Sequence, residues 1–533
     1  MERTHQETLI VGSGLAGLTA AAYLSKAGHP VRLLERAGTV GGLVTSFTRS
    51  GYLFDTGARS IENSGIIRPM LKDLGIELEL LPSHVSIGVE SHMIDMRAAD
   101  SIDQYRKVLE TLYPDHTKEV RRIFRTIKKV YREMHVIYGF ENPVFKNYRT
   151  DRHYLFTELL PWVGRFLLAV FRMERMQEPI DSFLTKFSRY QSLNDLIDQH
   201  FFKRTPAFFA LGYFYVYGDY LYPKGGTGKL PESLAQKVTD NGGVIQVGVD
   251  IISVDPAGKR VFDSRGNSYS YDKLIWCADQ KTLYRCLDTS ALDADSAEKV
   301  RHQTDTVMAS RGGDSVFSLF LGVDIPPETF SQITNAHLFY TPSRQGLGEV
   351  HLSELKSLLE KGRSAGKGAI FDWVSRYCEL TTYEVSIPSL RDRSLSPEGK
   401  SSLVVSFFLE YDLFRLAQES GWEDELRVHL EQEMIRVLNT SVFKGLLDTI
   451  ELQFSSSPLT IENRFNNSEG GITGWTFEKP AVAVNRLMKI SSAVKTPLSD
   501  VYQAGQWTYT PAGIPTAILT GWYAADTICS QST

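Results

Sequence analysis

TLIVGSGLAGLTAAAYLSKAGHPVRLLE, residues 8–35, is the stretch whose reading decides the fold. Its opening TLIV reads as a short buried strand. The chain then enters Gly12-Ser13-Gly14-Leu15-Ala16-Gly17 and continues as LTAAAYLSKAG, which reads as a helix. VRLL is a second strand and ends on Glu35. In such a unit Gly12 permits the tight turn, Gly14 lets a pyrophosphate approach the backbone, and Gly17 lets the helix pack closely on the strand. The helix N-terminus offers unpaired N–H groups and a partial positive charge to phosphates. Glu35 sits eighteen residues beyond Gly17, where a carboxylate accepts hydrogen bonds from ribose hydroxyls. A ligand-free glycine turn needs no acid at that distance. Strand, turn, helix, strand and acid together point to dinucleotide binding.

A chain of 533 residues has room for two or more domains. Apolar content of 42% and charged content of 23% are those of an ordinary globular protein. A net charge of −5 gives no reason to expect a nucleic-acid partner. Cys277, Cys286, Cys378 and Cys529 show neither CxxC nor zinc spacing, which fits a reducing compartment. The twelve histidines form no HxxxH pair, so no metal site is expected. The first strand begins too early for a removable signal peptide ahead of it. The expected location is cytoplasmic, with peripheral contact on the inner face of a membrane as a further expectation.

Beyond Glu35 come Arg36, then Gly41-Gly42-Leu43, then a strand, YLFD, running into Thr56-Gly57-Ala58. Between Lys118 and Met134 apolar residues recur at helical spacing, and the other face carries Lys118, Arg121, Arg122, Arg125, Lys128, Lys129 and Arg132. The plainer expectation is a core-packed helix with a solvated basic face; the alternative is contact with an anionic membrane. Residues 154–176 are strongly apolar but interrupted by Glu158, Pro161 and Arg165, which argues against a membrane span. A buried helix or pocket wall is expected there, and membrane contact is the lesser alternative. Residues 201–222 hold ten aromatic side chains, a pattern of plain core or of an apolar pocket wall.

The order GxGxxG, acid, Gly-Gly and a strand ending Asp55-Thr56-Gly57 resembles the flavin-dependent amine oxidase and phytoene desaturase superfamily. Three later segments extend the resemblance. Tyr222-Pro223-Lys224-Gly225-Gly226, a helix and a strand are similar to the second flavin-binding segment of the phytoene desaturase group. Ser389 to Gly399 resembles that group's Ser-Leu-x-Asp-x-Ser-Leu-x-Pro-x-Gly motif, with Arg393 where proline is usual. Val501 to Gly521 resembles the closing Ala-Gly-x…Pro-x-Gly-Gly-Pro-Gly motif, with Ala512 and Thr516 replacing two glycines.

The resemblance implies FAD as cofactor. It places Gly41, Gly42 and Leu43 along the flavin, Asp55 to Ala58 near the isoalloxazine, and Ile251, with Val249 as neighbour, against the adenine. It puts Gly505, Gln506, Ile514 and Pro515 at a helix start on the flavin's pyrimidine side. The implied fold is α/β: a Rossmann-like FAD-binding domain, discontinuous over 1–90, 222–300 and 490–533, and a substrate domain of mixed sheet and helices over 91–221 and 301–489. The implied activity is desaturation, saturation or flavin-assisted isomerisation of carbon–carbon bonds in a long isoprenoid or polyene, that is, a carotenoid- or retinoid-like substrate. The electron acceptor stays open among oxygen, a quinone or another compound. No catalytic base is assigned, although Glu62, Asp219 and Tyr220 lie near expected pocket segments. An amine oxidase on the same fold is the competing enzyme, with Trp507 and Tyr509 as the aromatic pair it needs. A flavoprotein with an assembly or redox-sensing role is the non-enzymatic alternative.

Overall fold

Thr8–Val11 is the central strand of a five-stranded parallel sheet in a computed structural model describing residues 7–97, 100–146, 151–479 and 482–531. The order across the sheet is Val244–Val247, Val31–Glu35, Thr8–Val11, Lys273–Trp276 and Val501–Gln503. Strands from the beginning, middle and end of the chain therefore share one sheet, and Thr8 registers with both Val31 and Lys273. A parallel sheet covered on both faces is apolar at successive positions. Accordingly, Ile10, Leu33 and Ile275 enter one core and Leu9, Val11, Leu34 and Trp276 the other. Each such side chain taken from water contributes about 1.5–3 kcal/mol.

The helix Leu15–Lys26 lies on the first of these faces, between the helices Lys229–Asp240 and Ile514–Gln531. Its small residues set the spacing. A Cβ on Gly521 would stand 2.2 Å from the Ala16 carbonyl oxygen, so the first and last helices touch almost backbone to backbone. The closing helix starts at Ile514, one residue ahead of Pro515.

The second sheet has seven strands in the order Ile450–Ser456, Ser315–Val323, Ser401–Leu409, Tyr383–Ser386, His337–Thr341, Val85–Val89 and His92–Asp95. Val85–Val89 lies inside the first segment expected for the FAD domain. It pairs with His337–Thr341 in the large sheet, whereas Leu80–Pro82 just before it pairs with Tyr220–Pro223 in a separate three-stranded sheet. One face of this sheet, with Leu319, Leu338, Val385 and Val405, packs under the helices Lys367–Leu380 and Glu423–Thr440. The hairpin Ser46–Arg49/Tyr52–Asp55 lies on the other face, where the Phe54 ring stands 5.6 Å edge-on from Phe320.

The basic stretch forms the helix Thr117–Tyr138, burying Val120, Ile123, Phe124, Ile127, Val130 and Met134 and exposing its Lys and Arg row. The apolar stretch forms a π-turn, Tyr154–Leu159, continuing into the helix Leu160–Glu174. Trp162 Nε1 donates to the Val136 carbonyl at 2.7 Å, and Arg172 pairs with Glu133, docking this helix on the basic one. The expectation of a buried helix fails here. Phe156 is 63% exposed, and Leu160, Leu167, Leu168 and Phe171 are each near half exposed. By length and apolar composition alone, Tyr154–Glu174 is of the kind that can cross a membrane.

Candidate active site between the two sheets

Gly12 turns with φ +100°, and a Cβ on Gly17 would meet the Gly12 carbonyl oxygen at 2.0 Å. Gly14 is different: nothing lies within 4 Å of where its Cβ would stand. It precedes a helix whose first turn has no side-chain cap. Open space beside Gly14 and uncapped N–H groups are the features that a pyrophosphate cradle needs. Leu15 and Ala16 begin the helix and are buried. Ser13 gives both its N–H (2.8 Å) and its hydroxyl (2.7 Å) to Glu35 Oε2, and Ala37 N–H donates to Oε1 at 2.7 Å. The acid is thereby fixed against the turn, as ribose recognition needs.

Gly41 N–H donates to the Ser13 carbonyl at 2.9 Å, and Gly41 bridges Gly14. A Cβ on Gly42 would lie 3.4 Å from Gly14 Cα, so the paired glycines lie along the open turn. Ala58 N–H donates to the Leu43 carbonyl at 3.2 Å, which brings Gly41–Leu43 beside Asp55–Ala58. Gly505 presents its missing side chain toward Ala16 Cβ, 3.5 Å away, and Gln506 follows it. Ile514 starts the last helix and packs against the core that holds Leu15 and Ala16, while Gly505 N–H donates to Thr520 Oγ1 of that helix at 2.9 Å.

Val249 N–H donates to the Glu35 carbonyl at 2.8 Å, whereas Ile251, two residues on, is buried among Leu9, Val11 and Leu34. Of the two, Val249 is the one bonded to Glu35. Arg36 turns away: its Nη2 donates to the Asn463 and Arg464 carbonyls at 3.1 and 2.8 Å, capping the helix Pro458–Phe465.

Asp55 ties the segments together. Its carboxylate accepts from Ser46 Oγ (2.6 Å), Tyr222 Oη (2.8 Å), Thr227 N–H (2.9 Å) and Thr227 Oγ1 (2.9 Å). Asp392 Oδ2 accepts from Gly225 N–H at 3.2 Å, joining the Ser389–Gly399 segment to the Tyr222–Gly226 segment.

Past Ala58 the chain reaches a polar cluster invisible to motif reading. Arg59 is buried, donates to the carbonyls of Asp55, Thr56 and Gly57, and reaches Ser318 and Ser406 with Nη2. Ser318, Ser406 and Glu384 lie in register across three strands of the large sheet. His337 Nδ1 is 3.0 Å from Ser60 Oγ, and Arg391 Nη1 donates to Ser386 Oγ at 2.9 Å. His337 Nε2 stands 3.0 Å from Glu384 Oε1, off the axis of a linear hydrogen bond. Burial pushes the Glu384 carboxyl upward, but His337 and the Arg59 and Arg391 guanidiniums outweigh it and hold it below the usual glutamate range. Burial leaves His337 harder to protonate than a free imidazole.

The 201–222 aromatics continue from this cluster as a wall. Phe201 and Phe209 meet Tyr213, Tyr213 meets Tyr217, and Tyr217 meets Phe339 at ring separations of 5.1–5.9 Å. Tyr220 stacks toward His337 at 5.3 Å. The sequence signals for the missed residues were weak: Ser318, Glu384 and Ser406 are scattered polar side chains in largely apolar strands.

The family model for flavin containing amine oxidoreductase matches residues 15–529. The chain is 22% identical to a 4,4'-diapophytoene desaturase (4,4'-diaponeurosporene-forming) of Staphylococcus aureus (strain COL), covering 97% of each chain. Among solved structures it is similar to an oxidoreductase from Methanosarcina mazei, with a TM-score of 0.58, 15% identity and coverage of 98% of this chain and 100% of the other. It is also similar to a triple mutant of putrescine oxidase, with a TM-score of 0.60, 12% identity and 99% of both chains covered. At these identities the structural likenesses establish the fold.

Proposed function

The chain belongs to the flavin containing amine oxidoreductase family, and from that premise we propose that it acts on carbon–carbon bonds of a long apolar polyene or isoprenoid, by desaturation, saturation or isomerisation. FAD is its cofactor, and the open Gly14 cradle and the fixed Glu35 fit the pyrophosphate and ribose. Bound FAD supplies the hydride acceptor or donor, while the chain supplies orientation and exclusion of water.

The observation that carries the reading is the aromatic wall from Phe201 to Phe339, which ends at the face of the large sheet holding Glu384. Such a surface offers a polyene π-stacking and apolar contact with few polar demands. The full-length likeness to a diapophytoene desaturase supports the same class. The amine oxidase alternative is less well served. Trp507 packs on Trp475 in one apolar core, and Tyr509 is buried in another, so they do not form a facing pair.

The outward apolar face of Tyr154–Glu174 belongs to this reading as the contact with an anionic lipid surface from which the substrate is drawn. Exposed Arg165, Arg172 and Arg175 and the basic row on Thr117–Tyr138 supply the charge.

The deciding experiment is incubation of holoenzyme with a panel of carotenoids, retinoids and other unsaturated lipids, with the flavin oxidised or reduced, followed by mass and isomer analysis. Loss of a hydrogen pair, gain of one, or isomerisation at constant mass separates the three reactions. Anaerobic flavin bleaching by primary amines, with none by polyenes, would overturn the proposal.

A further inference from the structure

Glu62, the register partner of Tyr220, and Glu384, 3.0 Å from the His337 ring that Tyr220 meets at 5.3 Å, are two carboxyl groups in opposite electrostatic settings. Glu62 ends the two-residue strand Ile61–Glu62, four residues beyond Ala58. Four residues span at most about 14 Å, so Glu62 lies within that reach of the segment bordering the FAD site. Its Oε2 is buried and has no hydrogen-bond partner among the described residues. Glu384 is on the middle strand of seven, yet a third of its side chain, 34%, remains accessible. That accessible surface lies on the face of the sheet that Glu384 shares with Phe339 and His337.

We propose that Glu62 is the acid–base residue of the carbon–carbon chemistry and Glu384 the fixed anion that stabilises positive charge developing on the polyene. This rests on the function proposed above. In the desaturating direction bound oxidised FAD would supply the acceptor for the hydride leaving one substrate C–H bond. The neighbouring C–H bond gives its proton to a Glu62 carboxylate oxygen, and the electron pair left behind forms the new π bond. Saturation runs the same transfers backwards, with Glu62 donating the proton.

The surroundings of the two groups differ as the roles require. Burial raises Glu62 to about 7, and the charges of Asp219 and Glu384 add to the rise while a hydrogen bond from its own backbone opposes it. Tyr138, Tyr213 and Tyr220 approach it from the helices Thr117–Tyr138 and Ala207–Val216 and from the strand Tyr220–Pro223, bringing no cation. Glu384 has the cations Arg59 and Arg391, with the His337 ring 3.0 Å away. Pairs of acids pushed apart in this way divide into a proton-exchanging group and a permanent anion. The aromatic faces of Tyr213, Tyr217 and Tyr220 add π-density toward a cationic polyene.

The test uses FAD-loaded wild type, Glu62→Gln and Glu62→Asp. Infrared difference spectra across the pH range should show a protonated-carboxyl band missing from Glu62→Gln and titrating near pH 7. On the polyene that wild type converts, Glu62→Gln should lose kcat by about 100-fold or more with KM within about threefold, and Glu62→Asp should recover part of it. Flavin content checks that each variant is folded. Wild-type kcat in Glu62→Gln, or a band titrating in the ordinary carboxylate range, overturns the assignment. A wild-type enzyme inert toward every polyene overturns the functional reading and the role of Glu62 with it. A correct titration with an unchanged kcat overturns the role of Glu62 alone.

Discussion

Glu35 Oε2 is held by Ser13 through both its backbone N–H, at 2.8 Å, and its side-chain hydroxyl, at 2.7 Å. The contact joins the end of the second strand to the glycine turn of the first and keeps the carboxylate preorganised. Glu35→Ala removes the ribose acceptor and frees Ser13 to rotate. Hydrogen bonds to a charged partner contribute about 1.5–3 kcal/mol, so FAD affinity should fall by about tenfold to a hundredfold. Titration of apoprotein with FAD, read by flavin fluorescence, measures this.

Gly14 and Gly17 separate ligand space from packing space. A Cβ at Gly17 meets the Gly12 carbonyl oxygen at 2.0 Å, and that oxygen is backbone. Gly17→Ala should therefore lower the melting temperature of the apoprotein, by the equivalent of at least about 1–3 kcal/mol for overpacking. A Cβ at Gly14 meets nothing within 4 Å. Gly14→Ala should leave apoprotein melting unchanged and weaken FAD by about tenfold or more, because the methyl group occupies the phosphate's place. Melting curves with and without FAD distinguish the two.

Asp55 serves four donors from three residues, Ser46, Tyr222 and Thr227. Asp55→Asn keeps the size but replaces one acceptor oxygen by an NH2 group that faces donors. Leaving buried donors unpaired costs about 1–3 kcal/mol, and the loss should appear as faster proteolysis near Tyr222–Gly228 and lower flavin retention on gel filtration.

Much of the FAD domain was legible in the sequence because its constraints are local. The turn 12–17, Glu35 and Gly41–Gly42 are fixed by short-range backbone geometry, and a few residues at set spacing reveal it. The strand Val501–Gln503 was placed in the first sheet from motif order alone. The Arg59–Glu384–His337–Arg391 cluster was not legible. Arg59 lies 278 to 332 residues ahead of His337, Glu384 and Arg391, so no local spacing links it to them. The exposed face of Tyr154–Glu174 was misjudged for a related reason. Apolar composition does not reveal whether a partner element covers the helix, and here only Ala169, Val170 and Met173 of Leu160–Glu174 are buried.

Glu62 also carries a stability signature. Its folded-state pKa of about 7 lies above the ordinary glutamate value, so the native protein binds more protons than the unfolded chain between the two values. Stability falls as pH rises through that window. Glu62→Gln removes the buried carboxylate, so it should melt higher than wild type at about pH 8, by at most about 3 kcal/mol. The gap should close near about pH 4, where Glu62 is protonated in both states. A gap that is the same at both pH values contradicts the raised pKa.

The apolar face of Tyr154–Glu174 can be tested without touching the active site. Phe156 and Phe171 are 63% and 52% exposed, so replacing both by serine disturbs no core. If they insert into lipid, each ring gives up about 1.5–3 kcal/mol on replacement, and binding to vesicles of anionic phospholipid should drop by about a hundredfold or more for the pair. Reversing Arg122, Arg125 and Lys129 to glutamate should weaken binding by about 1 kcal/mol per charge or more and reduce its salt dependence. Co-sedimentation with vesicles at low and high salt reads both effects. Turnover of a polyene supplied in dilute detergent should be preserved in the Phe156/Phe171 variant, since neither ring belongs to the aromatic wall. Equal vesicle binding by wild type and both variants removes the lipid contact from the proposed function.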